Sequence, residues 1–173
     1  MATVLQSPLD AVRLSLQARI MAVLGLGSEC VILDTSGDAQ DDDVHYQAEQ
    51  VVFIRFEGYS PVPGFDGAGR NWAPERHRVT CTLWTRTALD EPPGFASGLT
   101  DPILGHDRWG NLLKDAMLAF QPIDSGNNWL VQDPVYPAGG QGPSRKTRVD
   151  KSWAWSQQSY YVTVSPSVSL LYQ

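Results

Sequence analysis

Three histidines, a run of acids and a cluster of cations are the residues whose chemistry could give this chain an activity. His45 lies in an acidic stretch, His77 stands between Arg76 and Arg78, and His106 falls near the start of a helical pattern. None forms an HExxH or HxH pair or stands at ligand spacing from a cysteine, whereas a metal site needs several donors converging at fixed geometry. All three are read as ordinary polar surface residues, and no metal or cofactor is expected. Asp41, Asp42 and Asp43 sit in a segment, Asp34 to Glu49, that holds six acids and no Lys or Arg. A calcium loop interleaves its acids with a turn glycine at set spacing, which Asp34–Asp41 does not reproduce, so a solvated acidic loop is expected. The glycine-rich 64–69 stretch lacks both the Lys-Ser/Thr step and the strand-to-helix setting of a phosphate loop. Neither GxSxG nor SxxK is present.

The cations are more informative. Arg145, Lys146, Arg148 and Lys151 fall within seven residues, opposed only by Asp150, directly before Trp153 and Trp155. A nucleic-acid reading would set the cations on phosphates and stack bases on the indoles. Against it, 13 Lys+Arg and 19 Asp+Glu give a net charge of -6, and a dedicated nucleic-acid binder draws its affinity from phosphate neutralisation. A competing reading pairs the basic cluster with Asp41–Asp43 of a neighbouring copy. Opposite patches at separate places on one chain favour head-to-tail association, which closes into a ring when the rotation allows. The plain alternative is a solvated loop.

These residues need a scaffold, and the 173-residue chain is long enough for one domain that buries roughly 70% of its unfolded surface. Its composition, 42% hydrophobic and 10% aromatic, excludes wholesale disorder. No apolar run approaches the ~18 residues of a membrane span. Asp10, Arg13, Gln17 and Arg19 interrupt the N-terminal segment, so no secretory signal is expected and synthesis in a cytoplasm is. Cys30 and Cys81 read as reduced core thiols, with a single bridge between them as the alternative.

Residues 8–24 carry helical spacing in Leu9, Val12, Leu16, Ile20, Val23 and Leu24. Ser7 is placed to cap, Pro8 to open and Gly25 to stop that helix. Strands are expected at 30–33, at 50–58 with Val52, Ile54 and Phe56 on one face, and at 78–87. A second helix is expected over 102–120, capped by Asp101, with a stripe of Trp109, Leu112, Leu113, Ala116, Met117 and Phe120. His106 falls on its polar side. A short strand at 129–132 and a long one at 152–165 follow. Strict alternation puts Trp153, Trp155 and Tyr161 of the long strand on one face, unless a bulge at Ser156–Ser159 switches faces. Val168–Tyr172 reads as a last apolar strip. The expected architecture is one α+β domain over 1–173, a single mixed or antiparallel sheet with both amphipathic helices on one face. Long Gly/Pro-rich loops are expected at about 34–49, 59–77 and 133–150.

This order of elements resembles the tail terminator proteins of long-tailed bacteriophages and, more broadly, their neck and tail-completion proteins. The resemblance rests on the helix Leu9–Leu24, the strands around Cys30–Leu33, Val51–Glu57 and Val79–Arg86, the helix Asp107–Phe120 and the strand Trp153–Val164. It is a pattern of topology without signature residues. It implies a non-enzymatic virion part: a ring, usually of six subunits, that ends growth of the tail tube and joins it to the head connector or stopper while DNA passes through. A sheet covered on one side would leave Arg55, Glu57, Trp84 and Arg86 facing a neighbouring subunit or the channel. The alternatives are a virion decoration or adaptor protein that binds through the Trp-rich strand, and a small enzyme with a perturbed histidine or carboxylate in a pocket.

Overall fold

The computed structural model describes residues 7–34, 50–62, 74–87, 105–124, 126–131, 133–148 and 151–164. Helix α1 spans Pro8–Leu24. Ser7 Oγ accepts the Asp10 N–H at 3.1 Å and donates to the Asp10 carboxylate at 2.7 Å. That hydroxyl is the main cause holding the Asp10 carboxyl below its ordinary pKa. Gly25 closes the helix at φ 68, its N–H bonded to Met21 O, a left-handed cap that glycine adopts without strain. Val12, Leu16, Ile20 and Leu24 form the buried stripe.

Five strands form one sheet: β1 (Val31–Asp34), β2 (Gln50–Pro61), β3 (Glu75–Thr87), β4 (Tyr136–Arg148) and β5 (Lys151–Val164), in the order β1-β2-β3-β5-β4. β1 runs parallel to β2 and every other pairing is antiparallel, so the sheet is mixed. With α1 and α2 (His106–Met117) the chain is α+β, as its order of elements implied.

Several boundaries move. β2 runs to Pro61 and β3 starts at Glu75, so the expected 59–77 loop loses both ends. The extra reach comes from Gly58 (φ 44), where the register shifts between Glu57 and Tyr59, a bulge that lets pairing continue. The 133–150 stretch is not a loop but for the most part strand β4. Pro137 and Pro143 lack the N–H a central strand requires, yet β4 is an edge strand with one partner, and both prolines border its register shifts. The short strand expected at 129–132 reduces to two isolated bridges, Ile123↔Trp129 and Val131↔Val164. β5 pairs with β3 in unbroken register, so no bulge interrupts Ser156–Ser159 on that side and the alternation is strict.

The second helix starts at His106, with Gly105 in extended conformation as its N-cap and no side-chain cap bond. The expected Asp101 and Pro102 lie outside the described residues. It also ends early: Leu118 is extended and Ala119 takes φ 58, which removes Phe120 from the helix. The buried face is His106, Gly110, Leu113, Ala116 and Met117, with Trp109 and Leu112 at its half-buried flanks.

Both helices pack on one side of the sheet, against Val31, Val52, Ile54, Val79, Cys81, Leu83, Tyr160 and Val162. The other side is not bare as expected. Val51, Phe53, Trp84, Trp153 and Trp155 form a second buried cluster with Ile32 at its margin, and the Trp84 and Trp155 rings stack at 6.2 Å. Full burial of an aromatic or large aliphatic side chain is worth roughly 1.5–3 kcal/mol, so this cluster is a second core. Cys30 and Cys81 are both free, Cys30 half-buried and Cys81 buried.

Candidate assembly surfaces

The two described histidines are internal, which corrects the surface role expected of them; His45 lies outside the described residues. His106 sits at the first turn of α2 and is 3% exposed. Its Nδ1 lies 2.9 Å from Thr85 Oγ1 on β3 and its Nε2 2.9 Å from Ser156 Oγ on β5. A neutral imidazole has one donor and one acceptor, and hydroxyls can complement either. Burial drives the His106 pKa down to about 4, against a smaller opposing pull from Asp107. A helix N-terminus further disfavours a cation. The ring is therefore a neutral clamp joining α2 to two strands. At the other end of the sheet, His77 lies 3.3 Å from Glu75 and against Tyr59 at 5.6 Å. Burial lowers its pKa more than Glu75 raises it.

The face away from the helices grades along the strands. Beyond the tryptophans, Thr80 and Ser159 hydroxyls lie 3.1 Å apart, Gln157 donates to Thr82, and Arg78 reaches both Ser159 and Glu57 (3.3 and 3.5 Å). At the far end Arg76 lies 5.9 and 5.7 Å from the Tyr136 and Tyr161 rings, which pack together at 5.4 Å.

Against this layout the expected contact residues separate into groups. Arg55 and Arg86 are exposed on the helix-distal face, and half-buried Glu57 is engaged by Arg78 across the ladder. Trp84, Trp153 and Trp155, named as contact candidates, are buried within the chain. Arg145, Lys146, Arg148 and Lys151 belong to the β4–β5 hairpin: Arg148 pairs with Lys151, and Lys146 shares a cross-strand row with Trp153 and Arg86. Asp41, Asp42 and Asp43 lie outside the described residues.

A surface that the sequence did not single out lies on the helix side. Residues 120–124 and 126–131 lie against each other through the Ile123↔Trp129 bridge and Leu130 N–H to Pro122 O at 2.9 Å. Asp124 closes the turn by accepting from Gly126 and Asn128. These bonds, those to Asn128 foremost, lower its pKa. Ile123 N–H donates to Ser15 Oγ at 3.0 Å, tying this hairpin to α1. Between them runs a groove of about 540 Å³ lined by Ala11, Leu14, Ala18, Phe120 and Ile123, with Arg19 and Asp124 at its rim. Leu14 is 46% exposed, Ile123 36% and the adjoining Trp129 70%. The available signal was Leu14, an apolar residue off the α1 stripe. A second groove of about 350 Å³ lies between α2 and β4, beside Lys114, Leu118, Gly140 and Gln158.

Among the described residues no group of three or more His, Cys, Asp or Glu converges on a metal-sized site. None of their helices is long and apolar enough to cross a membrane. The chain matches no family model and no curated protein sequence. Among solved structures it is similar to a chain of one titled "Virion of native gene transfer agent (GTA) particle", at 15% identity and a TM-score of 0.46. That similarity covers 93% of this chain and 94% of the other.

Proposed function

We propose that this protein is a structural part of a phage-type virion that works by associating with copies of itself. It forms a ring at the head-proximal end of the tail, ends growth of the tail tube and joins the tail to the head connector. The observation that carries the assembly reading is the outward-facing apolar patch of Leu14, Ile123 and Trp129 around the α1 groove. Large apolar side chains grouped on a surface mark contact sites. The ring, its six subunits and its place between tail tube and connector follow from the resemblance in the order of elements. The basic β4–β5 hairpin and the acidic 34–49 segment supply opposite charge for head-to-tail contact. A net charge of -6 suits a channel through which DNA slides without being held.

The two rival readings lose their footing in particular residues. Decoration through the Trp-rich strand needs exposed indoles, and Trp153 and Trp155 are buried. A catalytic histidine needs access to substrate, whereas both ring nitrogens of His106 are taken by hydroxyls and neither groove is lined by a histidine. Sedimentation velocity with negative-stain electron microscopy tests the proposal. Closed rings at micromolar concentration are expected, and a chain that stays monomeric throughout that range would refute it.

A further inference from the structure

We infer that the α1 groove receives residues 165–173 of a neighbouring copy. The inference rests on the assembly reading and names what covers its exposed patch.

The groove calls for an uncharged occupant. Its walls are apolar except for Ser15, whose hydroxyl already accepts the Ile123 N–H, and its two rim charges are already used. Arg19 donates to Ala116 O at 3.4 Å and lies over the Phe120 ring, while Asp124 holds the Gly126 and Asn128 N–H groups. The stretch 165–173 reads Ser-Pro-Ser-Val-Ser-Leu-Leu-Tyr-Gln, which has no charged side chain and carries Val168, Leu170, Leu171 and Tyr172 close together.

Topology then selects the neighbour's segment over the chain's own. Val164, the last residue of β5, bridges antiparallel to Val131. Residues 129–131 therefore lie between the end of β5 and the 121–123 arm that borders the groove. To enter its own groove the chain would have to turn back over the exposed Trp129. Nine residues span at most about 30 Å, enough to reach a subunit packed alongside.

The test compares the full chain, a chain ending at Val164, and the full chain with Leu14→Asp or Ile123→Asp, two partly exposed positions where a charge is tolerated in the monomer. Circular dichroism checks that each folds. The expected result is that truncation and either substitution weaken association by roughly tenfold or more, as loss of one buried leucine-sized contact would. A fluorescein-labelled peptide of residues 165–173 should bind the truncated chain saturably and lose roughly tenfold with either substitution. If the truncated chain assembles as well as the full one, the docking inference falls and the ring proposal stands. Equal peptide binding by the Asp variants also overturns it. A full chain that is monomeric yet refuses the peptide has its own segment in the groove, which overturns both the exchange and the ring.

Discussion

Protonating His106 should be one of the main acid-dependent costs to this fold. In the unfolded chain the imidazole titrates near 6.5; in the folded chain it does so at about 4, because burial opposes the charge. A depressed folded-state value means that the unfolded chain binds the proton first. Stability is therefore at its plateau above about pH 6.5, falls as pH drops toward 4, and loses nothing further from this group below that. At 1.36 kcal/mol for each tenfold change in proton activity, the loss is roughly 3 kcal/mol. Urea melts of the wild type and His106→Leu at pH 7 and pH 4.5 separate this group from the carboxylates. At pH 7 the variant should be less stable by roughly 2–4 kcal/mol, since Thr85 and Ser156 lose their buried partner. Between the two pH values, however, it should lose roughly 2–3 kcal/mol less than wild type, because the titrating group is gone. An unchanged pH dependence in His106→Leu would refute the reasoning, since the acid sensitivity would then belong elsewhere.

Other substitutions probe the remaining supports. Gly140→Ala puts a Cβ about 2.8 Å from the carbonyl oxygen of Gln157. A backbone atom cannot step aside cheaply, so thermal melts should show a loss of about 1–3 kcal/mol where an unhindered strand would gain. Trp84→Ala removes the centre of the second core and should cost roughly 3–5 kcal/mol in urea unfolding; a cost near zero would mean that the helix-distal face is dispensable. The Cys81 thiol, pushed up to about 12 by complete burial, should resist a thiol reagent at pH 8 while half-buried Cys30 reacts. Both should react in denaturant. Ser7→Ala should cost about 1 kcal/mol through loss of the helix cap, read from thermal melts.

Local signals served best where one element carried its own boundaries. Ser7, Pro8 and Gly25 bracket α1, and the period of two in β2 and β5 sorts their side chains onto the faces the sheet uses. β4 was hidden because Gly139, Gly140, Pro137 and Pro143 are loop residues by composition; only β5 beside them makes them a strand. His106 was misassigned by its polar type, because it stands three residues before Trp109 and seven before Leu113, and the helical period alone places it on the buried face. The α1 groove was illegible for a different reason. Leu14 stands off the buried stripe, and its significance appears only once residues 120–124 fold back across α1, a contact between parts of the chain far apart in sequence.

The central position of β3 has a consequence for how the molecule is made. One edge of this strand is met by β2, close behind it, but the other waits for β5: Thr87 needs Ser152, and Glu75 needs Val164. While the chain emerges from the ribosome, a long open ladder of unpaired amides and carbonyls, with Trp84 on it, stands ready through the synthesis of α2 and β4. Such an edge is a template for any stray strand. Heavy expression or a shortage of chaperone should therefore lower the yield of folded chain.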